Sequence, residues 1–161
     1  MTDQSPTASN QQETLRKTAE ALLRLMGFFD ISVSLRQNAP DEPLTVAVST
    51  DNAGMLIGEQ GTNLRAFEYV TKLIVRRMLP EGPRFIIDIN NYREERVTEL
   101  RSYAREVASK VAREGQQIEL EPMSSYERRI IHSELTAHPD ITTESTGDGL
   151  ERRVVVKPLQ Q

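Results

Sequence analysis

The sequence predicts an α+β fold divided between two small domains. Apolar residues recur at helical spacing in some stretches and alternate with polar ones in others. Gly and Pro clusters punctuate the boundaries between them. A chain of 161 residues, 37% of them hydrophobic, can close one ordinary core or two modest ones.

The elements follow in order. Residues 1–12 are rich in Ser, Thr, Asn and Gln, lack apolar periodicity, and are expected to form a disordered tail. From Glu13, the residues Leu15, Ala19, Leu22, Leu23 and Met26 fall at helical spacing, and Gly27 supplies a stop. Ile31, Val33 and Leu35 then alternate with polar residues. Pro40 and Pro43 bracket an acidic loop, and Leu44, Val46 and Val48 alternate again, so two half-buried strands are expected. A short helical turn around 52–56 leads to Gly58 and Gly61. The helix after them, about 62–78, gathers Leu64, Phe67, Val70, Ile74 and Met78 within one arc, with Arg65, Lys72 and Arg76 almost opposite. Pro80-Glu81-Gly82-Pro83 ends it, and Phe85, Ile87 and Ile89 alternate as a third strand. The order to this point is α-β-β-α-α-β.

A second long helix, about 91–114, carries Val97, Leu100, Ala104, Val107 and Val111 on one stripe and stops at Gly115. Ile118 and Leu120 suggest a short strand. Ser124 with Glu127 three residues on is a capping box that opens a helix to about Thr136. Ile141 to Thr146 and Leu150 to Lys157, separated by Gly147-Asp148-Gly149, read as a closing hairpin with Val154 and Val156 inward.

Charge and composition narrow the chemistry. The net charge is −4, yet its distribution is uneven: residues 1–61 carry −4, residues 62–113 carry +4, and residues 114–161 carry −4. A polyanion surface is a local matter, so the central segment is a candidate for one. The chain has no Cys and two His, which excludes disulfides and thiolate metal sites and leaves little for metal chemistry; no metal and no cofactor are expected. No apolar run approaches membrane-spanning length, and the N-terminus lacks the regions of a signal peptide, so a soluble, cytoplasmic protein with no membrane partner is expected. Catalysis is not expected either. A Ser within a capping box is already engaged by the backbone, and the chain carries no nucleophile elbow, phosphate-binding Walker loop or two-His metal motif.

Two constellations remain. In Leu56-Ile57-Gly58-Glu59-Gln60-Gly61 the two glycines can take positive φ and admit a ligand to the main chain, and the following helix begins with unpaired N–H donors suited to a phosphate. The reading is a backbone-phosphate clamp. In the second, Arg128 and His132 are spaced i, i+4 and project from one face of the capped helix, where they can reach the same phosphate or pack as a pair. Arg128 offers a planar fork, and His132 offers a ring for stacking or a single hydrogen bond. Arg129 points elsewhere, as a further phosphate contact or a solvated charge.

The glycine stretch, opening a helix inside α-β-β-α-α-β, resembles the signature loop of a K-homology (KH) domain of the second, prokaryotic topology. The resemblance covers residues 13–90. Arg-x-x-x-His, with Glu121-Pro122-Met123 ahead of it and a hairpin behind, resembles the R-3-H domain and covers residues 91–158. Together they resemble the bacterial Jag/KhpB (SpoIIIJ-associated) family, whose further N-terminal domain is expected to be replaced here by the short tail. The resemblance implies a type II KH domain followed by a small R-3-H domain with a short sheet and two helices. It also implies a cytoplasmic, sequence-relaxed binder of single-stranded RNA, with single-stranded DNA as a second candidate. Such a protein would act on transcripts as a regulator or RNA chaperone in cell shape and division. A small separate KH-domain protein is the implied protein partner. The residues the resemblance carries over are Ile57, Gly58, Glu59, Gln60, Gly61, Arg128 and His132, and Arg65, Lys72 and Arg129 join them as exposed cations on the same helices. Where the family often has basic residues between the glycines, this chain has Glu59 and Gln60. The loop is therefore expected to supply geometry, with charge from Arg65, Lys72 and the second domain. The alternative is a protein-interaction adaptor that uses the same folds without nucleic acid.

Overall fold

The computed structural model of the chain describes residues 8–37, 39 and 41–159, and it divides into two compact units between Tyr92 and Arg93.

The first unit runs α1 (Ala8–Leu25), β1 (Ile31–Arg36), β2 (Leu44–Thr50), α2 (Ala53–Ile57), a 3-10 turn (Glu59–Gly61), α3 (Thr62–Met78) and β3 (Phe85–Ile89). Its sheet has the order β1-β2-β3, with β1 antiparallel and β3 parallel to the central β2. The inward residues of the strands, Leu44, Val46, Val48, Phe85, Ile87 and Ile89, pack against Leu15, Ala19 and Leu23 of α1 and Leu64, Phe67 and Val75 of α3 in one core. Asn90, with φ of 50°, extends the β2–β3 pairing by one step. Its side-chain amide donates to the Thr50 carbonyl at 2.8 Å, and its Oδ1 accepts from the Thr50 N–H at 3.1 Å. The end of β2, which leads to the glycine loop, is thereby tied to the end of β3.

Two expectations about this unit are corrected. The tail was expected to reach residue 12, but α1 begins at Ala8; residues 1–7 lie outside the described part of the chain. Apolar periodicity is silent there because Ala8 to Asn10 are exposed. Once a helix is nucleated by its buried turns, Ala and Gln extend it at little cost, and Thr14 Oγ1 adds a bond to the Asn10 carbonyl at 2.8 Å. The buried face of α3 is also rotated from the expected arc: Leu64, Phe67, Thr71 and Val75 are buried, whereas Val70 and Met78 are exposed. Thr71 takes a core position because its hydroxyl closes on the Phe67 carbonyl at 2.8 Å, leaving only apolar surface outward. Glu68 anchors the same side of the helix by accepting the Ile87 N–H at 2.8 Å.

The second unit contains α4 (Tyr92–Glu114), β4 (Ile118–Glu119), α5 (Ser125–Leu135), β5 (Ile141–Thr146) and β6 (Arg153–Pro158). Its antiparallel sheet has the order β4-β6-β5, which makes β5 an edge strand. Leu100, Ala104, Val107 and Val111 of α4 meet Ile131 and Leu135 of α5 and Val154 and Val156 of β6 in a second core. The returning strand begins at Arg153, not at Leu150. Residues Gly149–Glu151 form a 3-10 turn with Leu150 95% exposed, because the loop is too long for a tight hairpin. No helix among the described residues is long and apolar enough to cross a membrane.

Candidate functional site

The glycine loop is built from the backbone outward. Gly58 has φ 70° and ψ 177°, a combination that an L residue essentially never adopts, and Gly61 has φ 75°. Between them Gln60 also takes a left-handed conformation, φ 49° and ψ 31°. A Cβ on Gly58 would sit 2.6 Å from Asn63 Cγ, and one on Gly61 would sit 3.1 Å from the Tyr92 ring. Three contacts hold this shape. The Gly58 N–H donates to the Gly54 carbonyl at 2.9 Å, the Gly61 N–H to the Gly58 carbonyl at 3.2 Å, and Asn63 Nδ2 to the Met55 carbonyl at 2.9 Å. Ile57 is half-buried against the first core, and Glu59 is exposed.

The two cations expected to serve the loop occupy different places. Arg65 braces it from beneath, donating from Nη1 to the Gln60 carbonyl at 2.7 Å and from Nη2 to Thr62 Oγ1 at 3.2 Å. Lys72 lies about 15 Å along the α3 axis from Thr62, at 1.5 Å per residue. It is paired with Glu68 Oε1 at 2.6 Å and stands 5.9 Å from the centroid of the Phe85 ring. The structure thus brings Arg65 to the glycines and leaves Lys72 at a separate position on the helix.

The second constellation is assembled on α5. Its N-terminus is closed by the capping box: Ser124 Oγ accepts the Glu127 N–H at 3.3 Å, and Glu127 Oε2 accepts the Ser124 N–H at 3.0 Å. Glu127 is buried, and its other oxygen accepts Arg96 Nε at 3.1 Å, which locks α5 to α4. Burial alone would raise the Glu127 pKa; the Ser124 bonds and the Arg96 guanidinium outweigh it and hold the carboxyl below its ordinary value.

With α5 fixed, Arg128 and His132 face β5. Arg128 Nη1 donates to Ser145 Oγ at 2.9 Å, and His132 Nδ1 lies 2.7 Å from Thr143 Oγ1. Arg128 Nε is buried and has no hydrogen-bond partner among the described residues. Burial, and next the Arg128 charge, push the His132 pKa below its ordinary value, so the ring is neutral near pH 7. Arg128 and His132 therefore form one surface, a permanent cation beside a neutral imidazole. Arg129, on the adjoining face, is exposed.

Sequence reasoning missed four residues that shape these sites. Asn63 and Tyr92 pack around the glycines, and nothing in residue type or spacing singles them out. Thr143 and Ser145 had a readable signal: hydroxyl residues at period two following Ile141, where a half-buried strand ordinarily continues with apolar ones.

A family model for the R-3-H domain matches residues 98–158, the span that contains α5 and its hairpin. The chain is 33% identical over 153 residues to the RNA-binding protein KhpB of Clostridium symbiosum, covering 92% of this chain and 68% of that one. It is 36% identical over 111 residues to the RNA-binding protein KhpB of Bacillus subtilis strain 168, covering 68% and 53%. It is 28% identical over 145 residues to the RNA-binding protein KhpB of Lactiplantibacillus plantarum, covering 90% and 45%. The chain thus spans about two thirds of the first of these relatives and about half of the other two. With a relative matched across nearly the whole chain and the R-3-H span coinciding with the second unit, the chain belongs to the KhpB family.

Proposed function

We propose that this protein binds single-stranded RNA, seating the sugar-phosphate backbone on the Gly58–Gly61 loop and on the Arg128–His132 face of α5. The reading takes the first unit as a type II KH domain and the second as an R-3-H domain. The order α-β-β-α-α-β, with β2 parallel to β3 and positive φ at both glycines, supports the first half of it. The names of the relatives support RNA as the nucleic acid. The observation that carries the proposal is the joint surface of Arg128 and His132, held by neighbouring hydroxyls within the matched R-3-H span.

The role is binding, in the cytoplasm, and not catalysis. The Ser124 hydroxyl is held in the helix cap by Glu127, whose carboxyl pKa lies below its ordinary value and makes it a weak base, and the Ser145 hydroxyl faces the Arg128 cation, so neither is an activated nucleophile; Thr143 is read as holding the His132 ring. A small separate KH-domain protein belongs to the same reading. The exposed side chains of Tyr69, Val70 and Leu73 on α3 give such a partner an apolar surface to cover.

The test is titration of a fluorescently labelled single-stranded RNA across a salt series. Affinity is expected to fall by roughly 0.7 log units per log unit of salt for each phosphate contact. Arg128→Ala is expected to weaken binding and to lower that slope by about one contact. Absence of binding at low salt to any single-stranded oligonucleotide would overturn the proposal and assign these surfaces to a protein ligand.

A further inference from the structure

The edge strand β5 departs from the pattern its position demands. Ile141, Thr143 and Ser145 share one face, opposite Pro158, Val156 and Val154 of β6. Ile141, Val154 and Val156 are core residues, so this face is the inward one. Two of its three positions are nonetheless hydroxyls, and each meets a functional side chain: Thr143 meets His132 and Ser145 meets Arg128. Positions two apart on a strand lie about 6.8 Å apart, and positions four apart on a helix rise about 6 Å. The strand and helix repeats therefore match, and the pairs form side by side.

Ser145 Oγ accepts from Arg128 Nη1 and donates its own hydrogen bond to the Arg153 carbonyl at 3.5 Å. Among the described residues Thr143 Oγ1 has His132 Nδ1 as its hydrogen-bond partner. The hydroxyl can donate to Nδ1, which leaves the imidazole N–H at Nε2, or accept from a protonated Nδ1, and the two arrangements differ in what the ring presents to a ligand. Arg128 keeps its Ser145 bond with its Nε buried and without a hydrogen-bond partner among the described residues, an arrangement that a free surface arginine would avoid by turning outward.

We propose that Thr143 and Ser145 are positioning residues for the anion-binding face of α5. Thr143 selects the His132 tautomer that presents N–H at Nε2, and Ser145 fixes the Arg128 guanidinium so that Nη2 stays open to the ligand. The site is then a pair of aimed donors carrying one charge. This deepens the RNA-binding reading and rests on it for the identity of the ligand, while the tautomer itself is a property of the free protein.

The experiment reads the His132 ring by long-range proton–nitrogen correlation in the free full-length chain, and measures binding of a labelled single-stranded RNA by anisotropy. Variants are Thr143→Val, Thr143→Ala, Thr143→Ser and Ser145→Ala, each checked by thermal melting. The wild-type ring is expected to be protonated at Nε2. Thr143→Val is expected to yield mixed tautomers and about fivefold weaker binding, the equivalent of one neutral hydrogen bond. Thr143→Ser is expected to restore both, and Thr143→Ala serves in place of Thr143→Val if the latter does not fold. Ser145→Ala is expected to weaken binding without altering the ring spectrum. A wild-type ring protonated at Nδ1, or a Thr143→Val protein with an unchanged ring and unchanged affinity, overturns the inference. If the wild type shows the Nε2 tautomer but binds no RNA, the positioning role stands and the RNA reading falls.

Discussion

Gly58 and Gly54 lie four residues apart and are expected to respond in opposite ways to the same change. Gly58 has a φ/ψ combination reserved for glycine, and a Cβ there would press on Asn63, whose amide holds the Met55 carbonyl. Gly58→Ala is expected to cost about 2 kcal/mol, chiefly backbone strain, since the Asn63 side chain can swing away. Gly54 lies inside α2, and a Cβ on it meets nothing within 4 Å. Gly54→Ala is expected to add about 0.5–1 kcal/mol by removing backbone freedom from the unfolded chain. Denaturant unfolding of the two variants checks both signs, and equal effects would remove the case for a strained loop. Arg65 shows the same scale at work, because its guanidinium braces the Gln60 carbonyl and so contributes to loop shape as well as to charge.

The element that depends most on one buried contact is α5. Glu127 satisfies the helix start and also carries the ion pair to Arg96 of α4, whose side chain is 24% exposed. Glu127→Ala is expected to cost about 2–3 kcal/mol, because it opens the cap and leaves the partly buried Arg96 guanidinium with only its longer contact to Glu99 at 3.5 Å. The helix also carries two groups with folded-state pKa values below their ordinary ones, His132 and Glu127. A depressed value means that the unfolded chain binds the proton more tightly. Stability is then fully present above the unfolded pKa and is lost as pH falls through the folded value. The loss from His132 is expected to begin below its ordinary 6.5, and that from Glu127 below its ordinary 4.5. Thermal melts of the full chain from about pH 8 to about pH 2.5 check this. His132→Gln is expected to flatten the upper step while leaving the lower one. A melting temperature that rises on acidification through the imidazole range would contradict the sign.

Across the whole molecule, two separate clusters of buried residues carry the stability, one in each unit. Ile131, fully buried in the second, is expected to cost about 3–4 kcal/mol on substitution by Ala. Hydrogen exchange is expected to rise in residues 93–159 while β2 and β3 of the first unit keep their protection. Loss of protection in both units at once would mean that the chain unfolds as one cooperative body. Charge is partitioned as well, with the positive excess confined to residues 62–113. Salt dependence of binding is therefore the appropriate whole-chain readout, since the net charge of −4 opposes a polyanion at long range.

Much of this was legible in residue order. Periodicity and turn chemistry were enough to place the strands, the long helices, the glycine pair and the capping box, because each is a local preference written in adjacent residues. The burial of Thr71 in place of Val70 was not legible, since a hydroxyl that closes on its own helix counts as apolar only once that helix is packed. Nor was the distance of Lys72 from the glycine loop, or the pairing of Arg128 and His132 with Ser145 and Thr143. Those contacts join segments 11 to 17 residues apart, and which of many polar side chains meet across such a gap depends on how α5 lies over the β5 edge. Local chemistry named the candidate residues; packing settled which of them lie together.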